Sequence, residues 1–437
     1  MFLKFNTALR PFYIFQAGQF VSRFGSKATA YGLVLWAYAQ SGSVLSTTLL
    51  TVCTIAPLFL LSFVFGSLGD KWDRKTMILL ADAAAAVCSV LTLILLLSGQ
   101  LRVWHLYLIN LLLGISDAFQ GPAVSSALSS LVPAEKYAET SGFRSLCNAV
   151  VDIFCPMLAT SLYALYGLFV LIVFDLATFL FAALTLFWLI EIPPATGAPA
   201  EHESALDLCV QGIHYLAEHR GMLYLLLYKA AINFSAALTR TLLTPMVLSR
   251  GGDEFQLGLV SGLAGAAAVL GSIITTRMHA PNRRIPQMMG IMILYSIPGF
   301  FLAFGRNAWW WGLGQLLGSI PIPLWVAHID VLMRTRTPVA MHSRLFAAEE
   351  TLKQGSLVLG MVLSGVLCDS LLEPAVAALT QTPQSLPAKL LDALVGLTPG
   401  GGMALLFAVS SLLCIGFSVL FGRIPALQKL DEPIESP

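Results

Sequence analysis

Apolar residues run in long blocks along this chain, broken by short polar stretches. Each block approaches or exceeds the roughly 20 residues that a helix needs to cross a bilayer. Blocks such as Met77 to Leu97 lack the alternation, over about 10 residues, of a membrane β-strand, which excludes a closed barrel. The pattern predicts spans at Phe12–Tyr38, Ser46–Gly69, Thr76–Leu97, Val103–Leu131, Ala138–Leu165 and Leu168–Ile190. Six more follow at Met222–Leu248, Phe255–Thr276, Ile285–Phe304, Trp309–Met333, Met341–Leu371 and Gly401–Phe421. The expected fold is therefore an all-α polytopic membrane protein.

The rhythm fails between Glu191 and Gly221, dividing the chain into halves at 1–190 and 222–437 around a linker at 191–221. The linker opens I-P-P-A-T-G-A-P-A, a turn-rich composition. Ala205, Cys209, Gly212, Ile213 and Leu216 then share one face of a short helix, which either lies along the inner membrane surface or is a plain tether. A second irregular segment, Glu373 to Gly400, reads as a long external loop of Pro, Ala and Leu with no assignable chemistry.

Composition agrees with the pattern. Of 437 residues, 57% are hydrophobic and 11% charged, whereas soluble domains carry about a quarter charged residues. The net charge of +1 selects no partner, but its distribution fixes an orientation. With the N-terminus inside, the inner segments hold 14 basic residues, among them Lys71, Arg74, Lys75, Arg283 and Arg284. The outer ones hold Arg102, Arg250, Arg306 and Lys389, so both termini are expected in the cytoplasm. Lys4 and Arg10 lead into a first span long enough to anchor itself, with no cleavable signal evident. Seven scattered cysteines show no ligand spacing and read as packing residues.

Charges within the spans are the strongest functional signal, because each costs about 2.5–3.5 kcal/mol at the bilayer centre and normally faces an interior. Gln16, Gln19, Arg23 and Lys27 form a narrow stripe on span one. Asn110, Gly114, Asp117 and Gly121 share a face of span four. Span five holds Arg144, Asn148 and Asp152, and span six Asp175. Lys229, Asn233 and Arg240 line span seven, and Arg344, Glu349, Glu350 and Lys353 fall in span eleven. Internal pairing is the plain alternative: Glu349 with Lys353 at i,i+4, and Asp152 with Arg23 or Lys27. Glycines on spans eight and eleven, such as Gly262, Gly271, Gly360 and Gly365, suit close helix packing, static or sliding.

One knot of charge stands apart. Gly66 to Lys75 reads G-S-L-G-D-K-W-D-R-K, and Asp82 follows within span three. Gly66, Leu68, Asp70, Arg74 and Lys75 match the G-x-L-x-D-x-x-G-R-[RK] loop of the major facilitator superfamily, with Asp73 in the glycine slot. Together with Q-A-G-Q at Gln16 to Gln19, the stretch ending at Pro122–Ala123, Pro156, and S-R-L-F at Ser343 to Phe346, the chain resembles that superfamily over nearly its whole length. Asp73 is similar to the drug/proton antiporter branch that contains macrolide efflux proteins. Two departures exist: Leu113 stands where many proton-coupled members have arginine, and the segment around Pro156 lacks the usual glycines.

The resemblance implies two six-helix halves in the major facilitator fold, alternating access, and a wet central cavity lined by spans one, four, seven and ten. It puts Gln19, Arg23, Lys27, Asn110, Lys229, Asn233 and Arg240 on the substrate path. It makes Gly66, Asp70, Arg74, Lys75 and Asp82 an inner-face conformational latch, the plain alternative being charges that only set topology. A coupling carboxylate must gain and lose a proton, and Asp117 leads, followed by Asp152 and Glu349. Cations outnumber carboxylates on the expected path, which tilts the expectation toward a neutral or anionic amphipathic substrate. The implied partners are a small molecule, protons and membrane lipids, for a monomer in the plasma membrane with no cofactor, metal or nucleic acid. A lysophospholipid, siderophore or other anionic-metabolite transporter without strict proton coupling is the alternative. No phosphate loop, metal-spaced set or nucleophile motif points to an enzyme, and His328 and Asp330 lie on different helix faces.

Overall fold

The computed structural model describes residues 9–68, 73–133, 136–190, 214–278, 283–338 and 341–432. Among them the regular structure is helical throughout, and eight stretches are long and apolar enough to cross a membrane. The chain divides into two compact units, Met1–Gly42 with Leu49–Ser204, and Ser43–Thr48 with Ala205–Pro437. The linker helix expected after Glu191 falls almost entirely outside the described residues. Its Leu216 is described and buried in the core of the second unit.

Unit 1 contains α1 (Arg10–Ser41), most of α2 (Val44–Leu68), α3 (Arg74–Leu97), α4 (Val103–Leu131) and α5 (Tyr137–Leu189). Predicted spans five and six meet inside α5 at Gly167, whose φ of 70° belongs to glycine's left-handed territory. Helix α1 packs against the second half of α5 through a glycine every seventh residue. A Cβ at Gly18 would lie 2.8 Å from Thr185 Oγ1. One at Gly25 would overlap Thr178 Oγ1, and one at Gly32 would overlap Leu171 Cδ1. Leu171, Thr178 and Thr185 repeat with the same period, so the two seams stay in register. Lipid offers no hydrophobic drive for this contact; close van der Waals approach supplies it. The glycines of spans eight and eleven stand out by their number, whereas those of α1 form a pattern only at a spacing of seven.

The charged knot is partly described. Asp73 caps α3, its carboxylate accepting from Thr76 N at 2.9 Å and Thr76 Oγ1 at 2.7 Å. A glycine in this slot could do neither, so the departure from the superfamily pattern has a local function. The Thr76 bonds hold the Asp73 carboxyl below its ordinary value of 3.8. The stabilisation is thus present above that value and fades as pH falls through the lower folded one. Asp73→Ala is expected to cost about 1 kcal/mol at neutral pH, with the difference from wild type vanishing in strong acid. Thermal unfolding in detergent across pH checks it; a constant difference refutes the cap. Lys75 donates to Phe187 O at 3.0 Å and Ile190 O at 2.8 Å, satisfying carbonyls at the end of α5. Its observed partners therefore belong to its own unit.

Unit 2 contains α6 (Arg220–Arg240), α7 (Leu243–Ser249), α8 (Glu254–Arg277), α9 (Arg284–Phe304), α10 (Ala308–Ser319), α11 (Ile322–Thr335), α12 (His342–Leu367), α13 (Glu373–Thr380), α14 (Leu386–Leu394) and α15 (Gly401–Gly422). Its core gathers Tyr228, Met288, Trp325, Ile329 and Met333, all at most 5% exposed. Two predicted spans are broken. Pro245 cannot donate to the carbonyl of Thr241, and span seven divides into α6 and α7 there. The I-P-I-P run from Ile320 divides span ten into α10 and α11. The expected external loop is corrected too: it folds into α13 and α14. Glu373 accepts from Gly400 N at 3.2 Å and Met403 N at 3.0 Å, capping α15, while Arg250 binds the carbonyls of Gly305 and Val395. The first turn of α2 belongs to this unit, its free amides Val44 N and Leu45 N donating to Asp369 at 3.1 and 2.9 Å.

Candidate functional site

Each unit contains a partly open cavity lined by both polar and apolar groups. That of unit 1 has a volume of about 520 Å³. Helix α1 contributes Gln19, Arg23 and Lys27 to it, and α4 contributes Asn110, Asp117 and Gln120. The i,i+3/i+4 stripes read from the sequence thus become walls, because the glycine seam turns the opposite face of α1 onto α5. Arg23 Nη1 donates to Asn148 Oδ1 at 2.8 Å, and Lys27 pairs with Asp152. Leu113, in the arginine slot of many proton-coupled transporters, lines the same cavity, and Arg23 is the cation that acts on Asp117 there.

Two carboxylates are held inside this unit. Asp175 accepts from Ser26 Oγ at 3.0 Å and Ser89 Oγ at 2.8 Å, tying α5 to α1 and α3. Asp82 accepts from Gln120 Nε2 at 2.7 Å, and both residues lie in the cavity wall. Asp70 lies outside the described residues; Gly66 falls in the last turn of α2, and Arg74 opens α3.

Unit 2 holds a cavity of about 420 Å³. Asn233, Arg240, Gln315 and Tyr295 line it. Lys229 does not: it is 7% exposed and pairs with Glu349 across α6 and α12. The i,i+4 pair expected between Glu349 and Lys353 is also corrected, since Lys353 binds Glu350 at 2.6 Å. His328 binds Gln287 Oε1 at 3.0 Å, a partner on another helix.

The same bond therefore recurs in both units: a lysine on the first long helix meets a carboxylate on the fifth predicted span. The surroundings differ. The Lys27 and Asp152 side chains are 50% and 55% exposed, those of Lys229 and Glu349 only 9% and 11%. The cationic excess read from the sequence shrinks accordingly, since two of its four members are neutralised by partners.

The Major Facilitator Superfamily profile matches residues 17–361. This chain belongs to the major facilitator superfamily. Macrolide efflux protein A of Streptococcus pyogenes is 22% identical over 384 residues, 84% of this chain and 91% of that protein. Enterobactin exporter EntS of Citrobacter koseri is 25% identical over 305 residues, 67% of this chain and 69% of that protein. Among solved structures, nucleoside transporter NupG aligns with a TM-score of 0.71 at 13% identity, over 94% of this chain and 99% of that one. A bacterial homologue of the human lysosomal transporter Spinster aligns at 0.70 and 15% identity, over 98% and 99%. The protein thus has the major facilitator fold and is a multi-pass membrane transporter, not an enzyme.

Proposed function

We propose that this superfamily member is a proton-coupled exporter of a small amphipathic compound of the macrolide type. It works by alternating access as a monomer in the plasma membrane, with both termini cytoplasmic. The observation that carries the reading is Asp117, a carboxylate opening onto the unit 1 cavity beside Arg23, among neutral hydrogen-bonding groups able to hold a polar, uncharged surface. A carboxylate so placed exchanges protons with cavity water and answers to whatever displaces that water. The extended relationship to Macrolide efflux protein A supports the substrate class.

The test uses proteoliposomes of the full chain and radiolabelled erythromycin. An acidic lumen is expected to drive accumulation of the label beyond that in protein-free vesicles, where this weak base is trapped passively, and a protonophore to abolish the excess; an excess indifferent to the gradient rejects coupling. A second reading, export of an anionic siderophore or lysophospholipid without strict proton coupling, is favoured by Arg23, Arg144 and Arg240 in the cavities and by the enterobactin exporter relative. Enterobactin uptake into the same vesicles without a gradient, with erythromycin refused, selects it.

A further inference from the structure

The unit 1 cavity contains a carboxylate whose hydrogen bonding is half finished. Asp82 is 6% exposed. Its Oδ1 is held by Gln120, while its Oδ2 is buried with no hydrogen-bond partner among the described residues. A bare carboxylate oxygen in a membrane interior is costly. The remedies are a proton on that oxygen or a cation against it.

The charged groups around Asp82 leave the second remedy unfilled. From α4, Asp117 lies close enough to act on it, and its charge is of the same sign. From α5, Asp175 shares the cavity wall but is occupied by Ser26 and Ser89, and Arg144 lines the same cavity near Arg23. From α1, Arg23 and Lys27 line the cavity and are engaged by Asn148 and Asp152. On α3 itself, Lys75 is spent on the carbonyls of α5, and Arg74 begins the helix eight residues before Asp82, about 12 Å away along its axis. No salt bridge forms at Asp82 among the described residues.

We infer that Asp82 is the carboxyl that carries the coupling proton, with Gln120 fixing one oxygen and the buried other one holding the O–H. The inference rests on the proton-coupled reading and deepens it. Asp117 lines the cavity and senses substrate, while the more deeply buried Asp82 holds the proton. Each transfer breaks one O–H bond and forms one: a hydronium ion gives its proton to the carboxylate and becomes water, and water later takes the proton back as hydronium. Two carboxylates acting on one another make the second charge unfavourable, so Asp82 keeps its proton while Asp117 is charged and releases it when a substrate offsets the Asp117 charge.

Two experiments on the full chain test this. Dicyclohexylcarbodiimide adds to protonated carboxyls in apolar surroundings, and peptide mass spectrometry locates the adduct on protein in lipid nanodiscs. The adduct is expected on Asp82, falling about tenfold per pH unit on the alkaline side of its titration, and absent from Asp82→Asn. In erythromycin-transporting proteoliposomes, Asp82→Asn is expected to lose stimulation by an acidic lumen, and Asp82→Glu to restore part of it. Labelling of Asp117 or Asp175 in place of Asp82 overturns the inference, as does an Asp82→Asn variant that keeps full gradient stimulation. Labelling that sodium blocks, with transport driven by sodium, also overturns it, because a metal cation is then the missing partner. If Asp82 is labelled but wild-type transport ignores the gradient, the coupled-exporter reading fails while Asp82 remains a protonating site.

Discussion

Lys229→Ala is expected to destabilise the protein by about 3–5 kcal/mol, because it leaves the Glu349 charge buried without its partner. Glu349→Ala should cost a similar amount for the mirror reason. The double variant Lys229→Met with Glu349→Met removes both charges and keeps most of the volume, and should recover nearly all of the loss. Thermal unfolding of the purified variants in detergent reads all three. The exposed pair provides the contrast: Lys27→Ala should cost about 1 kcal/mol or less, since water reaches both groups. Equal losses at the two sites would show that burial does not separate a strut from a wet contact. Transport separates them as well, for a strut can be replaced by apolar side chains without loss of coupling.

Gly25→Ala should lower stability by about 1–3 kcal/mol, although it adds only a methyl group. The added Cβ would overlap Thr178 Oγ1 and lie 3.1 Å from Asp175 Cα. Thr178 can rotate only by giving up its 2.8 Å bond to the Asp175 carbonyl, and the backbone of α5 must move as well. That movement reaches Ser26 and Ser89 through the Asp175 carboxylate, so gradient-driven transport should fall alongside stability. Removing the obstructing oxygen in Gly25→Ala with Thr178→Ala should return part of both. Gly290→Ala is the control, since nothing lies within 4 Å of a Cβ there and it lines neither cavity. Equal damage at Gly290 would mean that helix flexibility, not the seam, is what glycine supplies.

Much of the architecture was legible because lipid enforces a simple code. Twenty apolar residues and a basic loop leave few alternatives. The breaks at Pro245 and at Ile320–Pro321 were missed because hydropathy averages over a proline that removes one donor. The cavity walls were legible as stripes of Gln19, Arg23 and Lys27 and of Asn110 and Asp117. The pairings were less so. Glu349 and Lys353 have the spacing of an ion pair, yet Lys229 on another helix wins, because burial strengthens the longer-range bond while Lys353 stays near Glu350 and water. Asp82 follows the charged knot closely in sequence, but about two turns of helix after Arg74 place it in the cavity wall.

The contacts of α1 also impose a timetable on synthesis. Lys27 precedes Asp152, and Arg23 precedes Asn148, by 125 residues. At about 5–20 residues per second the ribosome leaves roughly 6–25 s between each cation and its partner. Throughout that interval α1 holds two unpartnered charges, and its glycine face has no α5 to receive it. Among the described helices of its unit, α1 therefore waits longest for the partners that α5 supplies.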